Sequence, residues 1–269
     1  AAVKTYAVIQ VGTSRGSWSN GRARGHLKIQ GDLTLNGISR GNATGKYIGS
    51  GVYVEHGSSL SLKKADGSFG NITLKDSAFT SFAISMGASS YDKREAGPSL
   101  QANDITLSNV KADKAIDSFG GHLLAGNVTV DDSVFDSQVF KFYGRQQAEN
   151  KRSTVKLNDV FVNNVTVSQD ALYIGTSNPK DSNATNQANG SVNADIGNIT
   201  ISGVTATSFT ESALVFINNN TDSTISIGDI SIKNANCSEK TNQGVNSLVR
   251  FRNNKDVSLK TGVITIKHS

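Results

Sequence analysis

The chain of 269 residues has a formal net charge of +5, 36% hydrophobic residues, 26 glycines and two prolines. Its single cysteine, Cys237, excludes an internal disulfide framework and a cysteine-based metal cluster. The basic excess is too small to predict a nucleic-acid partner, and no apolar run approaches the roughly 20 residues of a membrane-spanning helix.

In chain order, one short sequence motif, which we call the first phrase, recurs almost to the last residue. It consists of a pair of turn residues followed by an apolar residue, a hydroxyl-bearing residue and a second apolar residue. This alternation with β-branched residues is typical of a half-buried strand. The copies lie at residues 31–35, 70–74, 103–107, 126–130, 197–201, 228–232 and 262–266. Recurrence at intervals of a few tens of residues predicts a repeat protein.

A second phrase lies between copies of the first: a small residue, alternating apolar positions, then Gly or Asn. Both of these residues tolerate the left-handed backbone of a sharp corner. Its copies lie at residues 7–12, 52–57, 83–87, 115–120, 139–144, 171–175, 213–218 and 247–253. A shorter strand pattern precedes most copies of the first phrase, for example at residues 27–29, 60–62 and 224–226.

The unit therefore has three short strands, each of which can bury its apolar face only against the next unit. The predicted fold class is all-β, a single right-handed parallel β-helix (solenoid) of about eight turns. We expect Ile199 and Ile201 to point inward and Thr200 to point outward. Residues 1–269 are predicted to form one such segment of a longer protein.

Variable loops follow the second phrase at one register, which predicts that they lie side by side along one edge. Trp18, the only tryptophan, lies between Arg15 and Arg22 in such a loop and suits an anionic sugar or a protein partner. Ordinary solvated charge is the alternative. The predicted binding residues are Arg15, Trp18, Arg22, Arg24, Lys93, Arg94, Arg145, Lys151, Arg152, Lys180, Arg252 and Lys255.

Asn-x-Ser/Thr triplets predict glycan acceptors where they fall in loops. These candidates are Asn42, Asn183, Asn189 and Asn219. Asn71, Asn127 and Asn198 belong to the repeated phrase instead. Because Asp takes the same slot in other copies, these three asparagines are expected to cap a corner rather than carry a sugar.

No catalytic residue, cofactor or metal site is predicted. Asp131, Asp132 and Asp222 resemble fragments of polygalacturonase motifs, but their order is reversed and we expect them to lie too far apart for catalysis. The four histidines lack metal-ligand spacing. Cys237 has no neighbour in the sequence that would activate it.

The recurring Gly-Asn-Ile-Thr-Leu phrase, the scarcity of Cys and Pro and the many Asn-x-Thr triplets resemble the shafts of large secreted bacterial adhesins. The nearest group is the two-partner-secretion exoproteins, such as the high-molecular-weight adhesins and filamentous haemagglutinin, with autotransporter passengers close behind. The resemblance implies a virulence-associated glycoprotein, secreted through an outer-membrane transporter to the bacterial cell surface. It also implies attachment to a host-cell receptor or anionic glycan, self-association between filaments, and no enzymatic activity.

Two other functions remain open. A polysaccharide lyase or hydrolase of the β-helical type would require paired carboxylates on one face of the fold. A phage tail-fibre segment would require tight trimerisation.

Overall fold

A computed structural model describes residues 4–12, 24–39, 47–55, 57–87, 97–144, 153–175, 191–207, 213–218, 222–237, 247–252 and 254–267. Within these residues every regular element is a β-strand. All pairings between the strands are parallel.

The strands, numbered in chain order, form three sheets. The first sheet contains, in spatial order, β1 (Lys4–Val11), β4 (Tyr47–Val54), β7 (Phe82–Met86), β10 (Lys114–Phe119), β14 (Phe140–Tyr143), β18 (Leu172–Gly175), β22 (Ala213–Asn218) and β26 (Ser247–Arg252). The second contains β2 (His26–Ile29), β5 (Ser59–Leu62), β8 (Ser99–Gln101), β11 (His122–Leu124), β15 (Ser153–Leu157), β19 (Val192–Ile196), β23 (Thr224–Ile227) and β27 (Ser258–Thr261).

The third sheet has twelve strands. They are β3 (Leu33–Asn36), β6 (Ile72–Ala78), β9 (Ile105–Ala112), β12 (Val128–Asp131), β13 (Val134–Phe135), β16 (Val160–Asn163), β17 (Thr166–Val167), β20 (Ile199–Ser202), β21 (Thr205–Ala206), β24 (Ile230–Lys233), β25 (Asn236–Cys237) and β28 (Ile264–Lys267). Strand β9 is the branch point, because its first half pairs with β12 and its last two residues pair with β13.

The prediction of a single right-handed parallel β-helix of about eight turns is corrected by this topology. The strands belong to three separate parallel sheets of eight, eight and twelve strands, and the units are not a uniform set of three strands. The physical reason lies in the backbone of the third sheet. Residues with positive φ, among them Asp132 (φ 48°), Asn164 (φ 51°) and Gly203 (φ 64°), turn the chain after the third strand of the unit. A further two-residue strand follows each turn, which the predicted three-strand unit does not contain.

One continuous hydrophobic core takes side chains from all three sheets. Its largest fully buried side chains include Phe79, Phe135, Phe140 and Phe142. The predicted alternation is confirmed in β20, where Ile199 and Ile201 are buried and Thr200 between them is partly exposed. Burial of one face of most strands is therefore the main stabilising contribution.

The corner between the second and third sheets carries Asp or Asn at the same place in successive units. In each case the side-chain oxygen accepts the backbone N–H of the equivalent residue in the next unit. For example, Asp104 Oδ1 accepts from Asn127 at 2.8 Å, and Asp159 Oδ1 accepts from Asn198 at 2.7 Å. The corner ladder, as we name it, consists of Asp32, Asn71, Asp104, Asn127, Asp159, Asn198 and Asp229.

This ladder confirms that Asn71, Asn127 and Asn198 act as corner caps. Asp and Asn alternate strictly along it, so no two carboxylates occupy neighbouring units. Alternation keeps every acceptor while it separates the negative charges. The backbone N–H of Asn71 is the main cause of a lowered pKa of Asp32, as expected for a carboxylate that accepts a hydrogen bond.

Replacing Asn127 by Asp should destabilise the fold by about 1 kcal/mol at neutral pH. The acceptor oxygen is retained, but Asp104, the new carboxylate and Asp159 would then stand in three adjacent units. Urea unfolding at pH 7 and again at acid pH measures the effect, which should vanish when the carboxylates are protonated.

The matched control is Asp104→Asn, which keeps the acceptor and removes one charge, and it should leave the stability unchanged within about 0.5 kcal/mol. A loss of stability in Asn127→Asp that persists unchanged at acid pH would contradict charge separation as the reason for the alternation.

Candidate functional site

The outer face of the first sheet carries an unusual row of side chains. Strands pair in register, so one outward position of each strand falls in a single line across the sheet. The residues immediately before and after this outward position are mostly core residues, such as Val52 and Val54 on either side of Tyr53. The outer row consists of Gln10, Tyr53, Ser85, Asp117, Lys141, Tyr173, Phe216 and Arg250.

The equivalent row on the third sheet carries a hydroxyl group at every position but one. It runs Thr34, Thr73, Thr106, Thr129, Phe161, Thr200, Ser231 and Thr265. Ser and Thr are ordinary outward residues of a strand. The first sheet instead buries Asp117 to 7% exposure and Tyr173 to 8%. Burying a charge opposes folding, so strand stability does not account for the composition of the outer row.

An ionic cluster lies at the centre of this face. Lys114 Nζ lies 2.7 Å from Asp113 Oδ2 and 3.9 Å from Asp117 Oδ1. On the next strand, the hydroxyl of Tyr143 donates to Asp117 Oδ2 at 3.4 Å, and Lys141 is the register partner of Asp117. The Asp117 cluster is the name we use for Asp113, Lys114, Asp117, Lys141 and Tyr143.

Burial is the main cause of the shifted pKa values in this cluster. Desolvation raises the pKa of Asp117, although the nearby ammonium groups of Lys114 and Lys141 act in the opposite direction. Desolvation also lowers the pKa of Lys141 and raises the pKa of Tyr143 well above its usual value. Ionisable groups whose proton affinities are shifted in opposite directions at one place are characteristic of functional sites.

The lysines of the cluster contact aromatic rings on their own or on neighbouring strands. Lys114 Nζ lies 4.7 Å from the ring centroid of Phe82 on β7. Lys141 Nζ lies 4.9 Å from the centroid of Tyr143 and 5.8 Å from that of Tyr173. These are cation–π distances, and such contacts restrict where the ammonium groups can be.

The same arrangement recurs farther along the face. The guanidinium of Arg250 lies 5.4 Å from the ring centroid of Phe216, which itself packs edge-on against Tyr173 at 5.6 Å. Arg252 follows two residues later on β26, on the same side of the strand, opposite Asn218. Both arginines are partly exposed, so this end of the face carries two cationic side chains that solvent reaches in part.

Three of the predicted binding residues are described. Arg24 is exposed, and its side chain lies against Gly57, where an added Cβ would approach within 3.1 Å of it. Arg252 ends β26, and Lys255 is exposed just beyond it. Outside the described residues lie Arg15, Trp18, Arg22, Lys93, Arg94, Arg145, Lys151, Arg152 and Lys180, as do the glycosylation candidates Asn42, Asn183, Asn189 and Asn219.

The residues from which the variable loops start are described, and they bear on the predicted edge. Gly12, Gly87, Gly144 and Gly175 all stand at or just after the carboxyl ends of first-sheet strands. Because these strands are parallel and in register, their carboxyl ends lie side by side. The described residues from which these loops start therefore lie along one edge of the first sheet.

The acids that resemble polygalacturonase fragments have structural roles. Asp132 and Asp222 adopt left-handed backbone conformations with φ of 48°. Asp131 Oδ1 accepts from the amide of Asn163 at 2.8 Å, and Asp132 Oδ1 accepts from that of Asn164 at 3.3 Å. They are thus corner residues of the third sheet or of the first-to-second-sheet connection.

Metal-binding geometry is not found in the part of the chain that the structure describes. No group of three or more His, Cys, Asp and Glu side chains there could hold an ion. His26 hydrogen-bonds through Nδ1 to Ser59 Oγ at 2.9 Å, and burial lowers the pKa of the half-buried His122. Cys237 is partly buried, and its burial raises the pKa of the thiol.

The Asp117 cluster was missed from the sequence, although a signal for it exists. Asp117 and Lys141 are charged residues at a position of the second phrase that is neutral in five of its eight copies. The two residues are 24 positions apart in the sequence, and only the register of β10 and β14 brings them together.

No protein-family model, curated protein or solved structure matches this chain. Among the described residues, no helix has the length and apolarity needed to cross a membrane.

Replacing Lys114 by Met should destabilise the protein by about 2–4 kcal/mol, because Asp117 would lose its closest cation while remaining buried. The double variant Lys114→Met/Asp117→Asn should recover more than half of that loss. Urea unfolding midpoints measure both.

Lys156→Met is the matched control, since Lys156 is an exposed lysine on the outer face of the second sheet. It should change stability by no more than about 0.5 kcal/mol. Equal losses in Lys114→Met and in the double variant would contradict the assigned electrostatic role of Lys114.

Proposed function

We propose that this chain is an adhesive segment of a secreted bacterial surface protein, and that it binds an anionic glycan through the outer face of the first sheet. The observation that carries the proposal is the contrast between two rows of the same fold. The outer row is aromatic and charged, whereas the equivalent row of the third sheet is almost entirely Ser and Thr. A rigid support with one specialised face is what a binding module requires.

The cations of this face are arranged for anion recognition. Arg250 is held over Phe216, and Arg252 projects from the same side of β26. A guanidinium presents planar paired donors that match carboxylate and sulfate groups. Because the ring contact already restricts Arg250, less side-chain entropy is lost when an anion binds.

A polymeric ligand suits the spacing of the sites. Neighbouring strands lie about 4.8 Å apart, so the partly exposed cations of the outer row, Lys141 and Arg250, stand a few strand spacings apart along the sheet. Each exposed charge pair contributes only a few tenths of a kcal/mol. Several engaged together retain a polymer by multivalency, and such binding weakens as salt concentration rises.

The test is retention on immobilised heparin, a sulfated polysaccharide, eluted with a sodium chloride gradient. The variant Arg250→Ser/Arg252→Ser/Lys255→Ser should elute at clearly lower salt, with affinity for soluble heparin reduced about tenfold. The three substitutions remove cationic side chains at one end of the first-sheet face and at the adjoining edge of that sheet.

The matched control is Lys75→Ser/Lys233→Ser/Lys267→Ser, which removes the same number of charges from exposed positions on the outer side of the third sheet. It should elute close to the unmodified protein. Equal shifts for the two triple variants would show that only net charge matters, and the proposed binding face would be abandoned.

A further inference from the structure

The carboxylate of Asp117 is buried with little to compensate its charge. Its side chain is only 10% exposed, and its polar contacts within the described residues are long: the hydroxyl of Tyr143 at 3.4 Å and the ammonium of Lys114 at 3.9 Å. Lys114 Nζ lies closer to Asp113, at 2.7 Å. A buried carboxylate without close donors is protonated more easily than an exposed one, because protonation removes the cost of desolvating the charge.

The corner ladder contains the opposite case within the same protein. Asp32 Oδ1 accepts the backbone N–H of Asn71 at 2.7 Å, and this hydrogen bond lowers the pKa of Asp32. Burial instead raises the pKa of Asp117. Of these two aspartates, Asp117 is therefore the first to take up a proton as the pH falls.

The groups that face Asp117 come from its own strand and from both neighbouring strands. They are Asp113 and Lys114 in the same unit, Lys141 and Tyr143 on β14, and the uncharged Ser85 on β7. Asp170, which precedes β18, also acts on Lys141. When both lysines and both aspartates of the Asp117 cluster are charged, the charges of the cluster cancel. Protonation of Asp117 leaves one positive charge in excess.

We propose that protonation of Asp117 strengthens the binding of anionic polymers to the outer face of the first sheet, so that attachment is tighter in acidic surroundings. The inference rests on the proposed function, because it concerns the regulation of the same face. It assigns a role to a buried carboxylate that the binding proposal leaves unused.

Lys141 is the side chain through which the change reaches the ligand. It is the register partner of Asp117 and is partly exposed, and its ammonium lies 4.9 Å and 5.8 Å from the ring centroids of Tyr143 and Tyr173. When Asp117 is neutral, the adjacent carboxylate no longer offsets this ammonium. The positive charge of Lys141 then acts on a polymer that lies along the outer row.

The direction of the pH dependence follows from the two pKa shifts. Asp117 is neutral below its raised pKa and negative above it, and Lys141 loses its proton at a lower pH than an ordinary lysine because of its burial. Affinity for an anion should therefore rise as the pH falls through the pKa of Asp117. One charge at a partly exposed position corresponds to roughly a threefold change in dissociation constant.

The experiment measures the dissociation constant of dextran sulfate by titration calorimetry at constant ionic strength, between about pH 8 and about pH 4. Sulfate groups do not titrate in this range. Acidification should tighten binding to the unmodified chain about threefold more than binding to Asp117→Asn. Histidines also gain charge in this range, but they are identical in the two proteins, so the comparison isolates Asp117. Thermal unfolding establishes that the variant keeps the fold.

Two further variants locate the effect. Asp195→Asn removes an exposed carboxylate from the outer face of the second sheet, and it should keep the full pH response. Lys141→Met should bind more weakly than the unmodified chain at acid pH and should respond to pH no more than Asp117→Asn. Equal pH responses in the unmodified chain and in Asp117→Asn would overturn the inference, as would a full response in Lys141→Met.

Proton uptake on binding supplies a readout independent of affinity. Because linkage is reciprocal, an anion that binds better when Asp117 is protonated must also favour that protonation. Binding enthalpies measured in buffers of different ionisation enthalpy should therefore reveal more proton uptake by the unmodified chain than by Asp117→Asn. Equal uptake by the two proteins throughout the pH range would overturn the inference.

Failures of the two proposals are distinguishable. Binding that the first-sheet triple variant weakens selectively, together with an unaltered pH response in Asp117→Asn, would overturn the role of Asp117 and leave the binding proposal standing. Equal effects of the two triple variants at every pH would overturn both proposals, because the anion would then not be bound at this face.

Discussion

Register between successive units is the constraint on which the rest of the structure depends. A shift of one residue in any unit would move its apolar side chains from the core to solvent, because side chains alternate along a strand. The corner ladder opposes such a shift. Each ladder oxygen accepts one backbone N–H of the next unit, for example Asn198 Oδ1 from Asp229 at 2.9 Å. The ladder and the buried strand faces thus specify the same alignment.

Register also creates the row of charged and aromatic residues on the first sheet. Asp117 and Lys141 are neighbours only because β10 and β14 align Ile116 with Phe140. The same pairing that buries these two core residues aligns the charged pair on the outside. A repeat fold therefore converts single substitutions in separate units into a contiguous surface, without any change in the core.

Local signals explain what the sequence predicted correctly. The strand phrases, the inward Ile199 and Ile201 and the capping role of Asn127 depend on residues within a few positions of one another. The fourth short strand of several units was not predicted, because strands of two residues such as Val134–Phe135 and Thr166–Val167 are too short to show a periodic pattern. The Asp117 cluster escaped prediction for a related reason. It depends on which residues of different units share a row, and spacing between units varies from 23 residues between Asp104 and Asn127 to 39 between Asp32 and Asn71.

The distribution of buried charge is the strongest indication that the first sheet is specialised. Asp117 and Lys114 are at most 9% exposed, whereas the charged residues on the outer side of the third sheet, such as Lys75 and Lys233, are exposed. A buried ion pair contributes little net stability compared with a well-packed apolar pair. The fold tolerates this cost because its hydrophobic core is continuous. In addition, each unit except the first and the last packs against a neighbouring unit on both sides. A stable support of this kind allows one face to hold charged groups in an arrangement that folding alone would not select.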